Sequence, residues 1–159
     1  MTTRKTKETT DKILRALKRT KQRGVIATGW RGLGQVDLPD IVFQVESVPH
    51  DWLFPQMAAV IHHGGAGTVA SGLRAGIPSI VVPFYFDQPF WGRRVASLGV
   101  GSQPIPFKRL SVERLEKAIT HAIHDKEVRR RAAVLGGRIR SEDGVTRAVE
   151  VIDRYLSSL

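Results

Sequence analysis

The sequence has no cysteine among its 159 residues, which excludes a disulfide scaffold, a cysteine nucleophile and a thiolate metal site. A reducing compartment, the cytoplasm, is therefore expected. Also missing is any run near the roughly 18 apolar residues of a membrane span, and the N-terminus has no apolar signal core. The expectation is a soluble, unprocessed chain. Internal repeats, low-complexity tracts and a convincing linker are absent as well. What is present is 42% hydrophobic, 25% charged and 7% aromatic, the content of an ordinary globular protein. One domain is expected over 1–159, since domains run to about 100–200 residues. It divides into a basic leading helix (1–23), an α/β core (24–110) and C-terminal helices (111–159).

The net charge of +10 suggests nucleic acid or an anionic membrane until its distribution is counted. Residues 1–23 hold nine Lys/Arg against two acids, residues 24–110 six against five, and residues 111–159 ten against eight. The excess therefore sits in the first helix, where a solvated face is the commonest meaning of such a run and a surface for lipid or a partner is the rarer one. Nucleic acid is not expected, because only charge argues for it.

Along the chain, Thr9/Thr10 precede a helical pattern of Ile13, Leu14 and Leu17. Short apolar runs follow at 25–28, 41–45, 58–62 and 77–82, with a last one beginning at Val100. Helices are expected from Gly67 to Ala75 and from about Asp87 to Leu98. Ser111 and Asp125 should cap two more, and Ser141 or Asp143 a third ending near Leu156. Strands apolar on both faces and separated by helices predict a doubly wound, Rossmann-like parallel sheet covered on both sides.

The chemistry concentrates in Val60-Ile61-His62-His63-Gly64-Gly65-Ala66-Gly67-Thr68. A strand runs into a glycine-rich turn and then a helix, so backbone N–H groups converge where the helix dipole is positive, a geometry that suits phosphate. His63 can add a hydrogen bond or a charge and Thr68 a hydroxyl. Tight packing alone would explain an isolated turn of this kind, and a histidine pair is often structural. The stretch Gly65 to Ala70 also satisfies the loose G-x-G-x-x-A dinucleotide pattern, with Asp87 about 20 residues on, so an NAD-binding oxidoreductase is a rival. Against that rival, at least two strands precede the turn, whereas the fingerprint normally follows the first. A second motif, Pro83-Phe84-Tyr85-Phe86-Asp87-Gln88-Pro89-Phe90-Trp91, presents a carboxylate beside an amide at the carboxyl end of a strand. Such a pair can bind vicinal sugar hydroxyls. Taken alone, Asp87 reads better as a helix N-cap.

Together with Gly29-Trp30, Val48-Pro49-His50-Asp51-Trp52-Leu53-Phe54 and Gly76-Ile77-Pro78, these motifs resemble the nucleotide-sugar-binding, C-terminal half of GT-B UDP-glycosyltransferases. The Pro-His-Asp-Trp-Leu-Phe run is most similar to the sterol 3-β-glucosyltransferase branch, and the resemblance covers nearly the whole chain. It implies that His63 contacts the diphosphate, that the backbone at Gly65, Ala66, Gly67 and Thr68 wraps the β-phosphate, and that Asp87 and Gln88 bind the sugar. Val48 and His50 would lie near the uracil. Trp30 matches a loop near the nucleotide, with a buried plug as the alternative. Related plant enzymes hold the ribose with a Glu eight residues after the phosphate histidine; here that position is Ser71.

The function so implied is donor binding in an inverting, metal-independent transfer of glucose or another hexose from a UDP-sugar to a lipophilic hydroxyl such as a sterol's. No cofactor is expected beyond the UDP-sugar, which is a substrate. Adjacent histidines on a strand point to opposite faces, so His62 and His63 are not expected to share an ion.

The acceptor pocket and general base belong to the family's N-terminal half, so no catalytic base is expected among these residues. In the family the C-terminal half normally opens with an apolar strand and a Gly-Ser loop just before its first helix, whereas this sequence begins Met1-Thr2-Thr3-Arg4-Lys5-Thr6. The resemblance thus implies a missing first strand and a gap in the sheet. The alternatives are a cut fragment, a half-enzyme completed by a separate acceptor-domain chain, or a degenerate homologue that binds nucleotide sugar without transferring it. Expected partners are the UDP-sugar, an acceptor-domain half or a second copy at the exposed sheet, and a peripheral membrane contact.

Overall fold

The computed structural model describes residues 3–27 and 38–158. Helix α1 (Thr3–Thr20) is followed by strands β1 (Gly24–Ala27) and β2 (Val42–Val45), the short helix α2 (His50–Leu53), and a 3-10 turn (Phe54–Gln56). Next come β3 (Val60–His62), α3 (Ala66–Ala75), β4 (Ser79–Val81) and α4 (Gln88–Ser97), and then a second 3-10 turn (Phe107–Arg109). The chain ends in α5 (Val112–His124), α6 (Lys126–Ser141) and α7 (Gly144–Leu156). Helix α1 starts well before the predicted Thr9/Thr10. No glycine or proline interrupts residues 3–9, so Thr10 lies inside the helix and is buried.

Among the described residues all strand pairing is parallel. β1 pairs with β2 in the register Gly24↔Val42 to Ala27↔Val45, and β3 with β4 from Val60↔Ser79 to His62↔Val81. The expected strand at Val100 is reduced to one parallel bridge, Ser79↔Gly101. Beyond it, the Ile105 N–H donates to the Val81 carbonyl (2.9 Å) and the Phe107 N–H to the Pro83 carbonyl (3.0 Å). These bonds close the far side of β4. Pro78 and Pro83 bracket that strand and keep it short, since neither can donate to a ladder.

Side chains alternate across β4. Ile80 and Val82 point into one core with Leu115, Ile119, Ala16 and Leu17 from α5 and α1. Val81 points into the other, with Val69, Val95 and Ala132 from α3, α4 and α6 and Val100 from the segment after α4. Helices therefore cover both faces of this pair, as a doubly wound sheet requires.

The two strand pairs share no ladder. Because the Val60 N–H donates to the Pro78 carbonyl and the His62 carbonyl accepts from the Val82 N–H, both residues turn their backbone groups toward β4. Ile61 must then face the other way. The same reasoning from the Gly24 N–H to Ile41 carbonyl bond (2.9 Å) turns Val25 outward from β2. Neither Ile61 nor Val25 finds a backbone partner among the described residues.

The predicted caps form. Ser111 accepts from the Arg114 N–H, Asp125 from the Glu127 and Val128 N–H groups, and Asp143 from the Thr146 N–H. No helix of the described residues is long and apolar enough to cross a membrane.

Candidate nucleotide-sugar site

Two loops leave the carboxyl ends of the paired strands β3 and β4, and they touch. A Cβ built on Gly64 would lie 3.2 Å from the Gln88 carbonyl oxygen and 2.6 Å from Val81 Cγ1. Gly64 has φ of 92°, the left-handed region that favours glycine. Only a residue without a side chain lets the phosphate-type turn settle against the start of α4.

Helix α3 begins at Ala66 with no side-chain cap, and the Val69 N–H is the first to find an intrahelical carbonyl, that of Gly65 (3.0 Å). The N–H groups of Ala66, Gly67 and Thr68 have no partner among the described residues. They sit at the positive end of a ten-residue helix. Gly67 has open space where a side chain would be, and His63 Nε2 lies over Gly65, 2.5 Å from where a Cβ would stand. His63 is exposed while its neighbour His62 is turned inward. An anion at this turn would meet three amides, the Thr68 hydroxyl and an imidazole.

His62 has a different role. The Gly64 N–H donates to His62 Nδ1 (3.0 Å), so the ring proton is on Nε2, which is buried and without a partner among the described residues. Burial first, then the charges of His63 and His50, lower its pKa to about 4. A neutral imidazole thus locks the glycine turn from behind.

On the second loop, Asp87 does not cap α4 through its side chain. Its backbone is helical, and Pro89 in the first turn has no N–H to offer. Instead Trp91 Nε1 donates to Asp87 Oδ2 (2.8 Å), leaving Oδ1 without a partner among the described residues. Gln88 is only 7% exposed, and its Oε1 accepts from the N–H groups of Phe84 (2.9 Å) and Tyr85 (3.3 Å). Only its Nε2 is left for a ligand. Sequence reasoning missed that Trp91 orients Asp87 and that Gln88 holds the loop; the i, i+4 spacing of Asp87 and Trp91 was the available signal.

The remaining predicted residues are less concentrated. Helix α2 packs against α3, which brings His50 near enough to His62 to act on its charge. His50 itself is exposed and stacked on Phe54, with ring centroids 4.4 Å apart. Val48 lies half-buried just before α2. The Ser71 hydroxyl donates to the Gly67 carbonyl (3.0 Å) within α3, so its hydrogen is engaged by the helix. Trp30, with Gly29, lies outside the described residues.

Comparison with known proteins decides the family. The erythromycin biosynthesis protein CIII-like, C-terminal domain family matches residues 6–152. The chain belongs to this family. It is 51% identical over 150 residues to sterol 3-beta-glucosyltransferase UGT80A2 of Arabidopsis thaliana, covering 94% of this chain and 23% of that enzyme. Among solved structures, the glycotransferase of kitacinnamycin superposes with a TM-score of 0.82 at 25% identity, over 92% of this chain and 38% of that one. The spinosyn rhamnosyltransferase SpnG complexed with thymidine diphosphate gives 0.76 at 29% identity, over 89% and 40%. Against the curated sterol glucosyltransferases it matches, the chain spans a quarter or less of their length. The family membership and these superpositions establish a GT-B glycosyltransferase C-terminal fold, the nucleotide-sugar half expected from the motifs.

Proposed function

We propose that this chain is the donor-binding domain of an inverting, metal-independent glucosyltransferase that moves glucose, or another hexose, from UDP to the hydroxyl of a sterol-like acceptor. The observation that carries the proposal is the set of N–H groups at Ala66, Gly67 and Thr68, without partners among the described residues, beside His63 and in contact with the loop that presents Asp87. In this reading those amides and His63 hold the diphosphate, Asp87 Oδ1 and Gln88 Nε2 take the sugar hydroxyls, and Val48, His50, Ser71 and Trp30 lie toward the nucleoside. The acceptor oxygen attacks the anomeric carbon opposite the diphosphate, and the sugar–phosphate bond breaks with its electron pair passing to the β-phosphate. The hydroxyl proton goes to a base on the acceptor half. Helix dipole, amides and imidazole stabilise the charge that develops on UDP, which is the contribution this domain makes to the rate. The sterol reading follows the names of the relatives and the cytoplasmic setting follows the composition. The basic face of α1 is the proposed peripheral contact with anionic lipid.

A second reading is favoured by the edges at Ile61 and Val25, which have no backbone partner among the described residues: a binding subunit whose sheet is completed by a separate acceptor-domain chain or a second copy.

Calorimetry with UDP, UDP-glucose and NAD tests the first reading. Binding of UDP and UDP-glucose is expected, weakened about tenfold by His63→Ala through loss of one hydrogen bond to a charged group. NAD binding with no response to UDP would overturn it.

A further inference from the structure

The indole of Trp91 reaches back one helical turn and donates from Nε1 to Asp87 Oδ2 at 2.8 Å, while the Trp91 backbone N–H donates to the Asp87 carbonyl at 3.1 Å. One residue thus holds Asp87 by main chain and side chain together. The side-chain bond adds little to the stability of the fold, because water would serve an exposed carboxylate nearly as well. Nor does it cap α4, whose first N–H groups the Asp87 carboxylate leaves alone. What it sets is direction.

That direction is inherited from the core. Trp91 is half-buried and packs against the cluster of Val69, Val81, Val95, Val100 and Ala132. The next residue, Gly92, lets α4 lie close on β4: a Cβ there would stand 3.2 Å from Val81 Cγ1 and 2.8 Å from Pro104 Cβ. Helix α4 is therefore held against β4 at Gly92 and against the glycine turn at Gly64, so the indole N–H keeps a set position relative to the amides of Ala66, Gly67 and Thr68. The neighbouring Gln88 is fixed as well, since its Oε1 is taken by the N–H groups of Phe84 and Tyr85 and Nε2 remains as a donor. Asp87 has no other side-chain partner among the described residues. Without the indole its carboxylate would rotate freely in water.

We infer that Trp91 is a positioning residue for sugar recognition: by occupying Oδ2 it fixes Asp87 with Oδ1 as a single acceptor beside the Gln88 donor. The inference rests on the donor reading, which puts the sugar at Asp87 and the diphosphate at the glycine turn. With one oxygen engaged, the carboxylate grips one hydroxyl instead of bridging two. A hydroxyl that donates to Asp87 is then told apart from a neighbour that accepts from Gln88. Because the carboxylate is ordered before the ligand arrives, its ordering does not weaken binding, and this gain applies only to ligands that carry the sugar.

Calorimetry with UDP and with UDP-glucose tests this on the full chain, as wild type, Trp91→Phe, Asp87→Ala and the double variant. Phenylalanine keeps an aromatic ring and loses the N–H. Trp91→Phe is expected to weaken UDP-glucose about fivefold and to move UDP by less than about twofold, since UDP brings no sugar to Asp87. In the Asp87→Ala background the same substitution should change UDP-glucose by less than about twofold, because no carboxylate is left to orient. Equal losses for both ligands in both backgrounds would mean a packing role and overturn the inference, as would UDP-glucose binding that Trp91→Phe leaves unchanged. A second measurement keeps the native indole in place and so survives an unstable Phe variant. The NMR resonance of the Trp91 indole N–H should shift in Asp87→Ala, and in the wild type with UDP-glucose more than with UDP; a resonance indifferent to both also overturns the inference. A wild-type chain that binds neither nucleotide sinks the donor reading and takes the sugar role of Trp91 with it, whereas normal UDP-glucose binding by Trp91→Phe sinks the role of Trp91 alone.

Discussion

The two strand pairs are built from similar sequence but end up in different surroundings. In β4 every residue from Ser79 to Val81 is buried, between α1 and α5 on one face and α3, α4 and α6 on the other. In β1 burial alternates, and the exposed Val25 lies beside the 69% exposed Phe43 of β2, its register partner. Both loops of the candidate site, the glycine turn after β3 and the Asp87 loop after β4, hang from the doubly covered pair. A site that holds three amides without partners among the described residues and a histidine neutral needs a scaffold that resists relaxation, and the close-packed pair supplies one.

The largest expected effect is to loosen this scaffold from its covered side. Helix α6 meets α3 through two glycines: a Cβ on Gly136 would stand 2.5 Å from the Gly76 backbone, where Gly76 ends α3 with φ of 75°. Backbone cannot move aside as a side chain can, so Gly136→Val should cost about 3 kcal/mol in urea unfolding and lower UDP-glucose affinity with it. Gly137, with nothing within 4 Å, is the control, and Gly137→Val should leave the unfolding midpoint nearly unchanged. Equal behaviour of the two variants would remove the claim that α6 fixes the site-bearing half.

Acid provides the next contrast. His62 titrates near 6.5 when unfolded but at about 4 in the fold, chiefly because it is buried. Between these values the unfolded chain binds a proton that the folded chain refuses, so stability falls as pH drops from about 6.5 to 4. The loss over that window is about 3 kcal/mol. His62→Gln should flatten the pH dependence of the urea midpoint over that window. A wild-type midpoint that does not change between pH 7 and 4 would contradict a buried neutral imidazole.

Much of this half was legible because its signals are local. Ser111, Asp125 and Asp143 announced their helices by side-chain oxygens at the cap, and the glycine turn followed from backbone demands at Gly64 to Gly67. Asp87 was harder. Its residue type favours a cap, and its actual partner, Trp91, is set by the helical path of the backbone and the missing N–H of Pro89. The neutral state of His62 was not readable at all, since it depends on depth beneath residues distant in sequence. The α1 start was misplaced because threonines that look like a cap can equally be buried inside a helix, as Thr10 is. Trp30, Val48 and Ser71 came only from family resemblance, and local chemistry gave them no independent support.

The smallest expected effect tests the open pair directly. Phe43 shows 69% of its surface, so truncating it removes little buried area, and Phe43→Ser should change stability by no more than about 0.5 kcal/mol. Ile80→Ala, at a fully buried position one pair away, should cost about 2–5 kcal/mol. The ratio of the two is the asymmetry between the pairs expressed as energy. Repeating both unfolding curves over a hundredfold range of protein concentration sharpens it: a Phe43 cost that grows with concentration means a second copy covers the β1–β2 face in solution, and a cost that stays near zero means the face is bare in the isolated chain. A concentration-independent cost of 2 kcal/mol or more would contradict the exposure on which the contrast rests, because Phe43 would then be buried within its own chain.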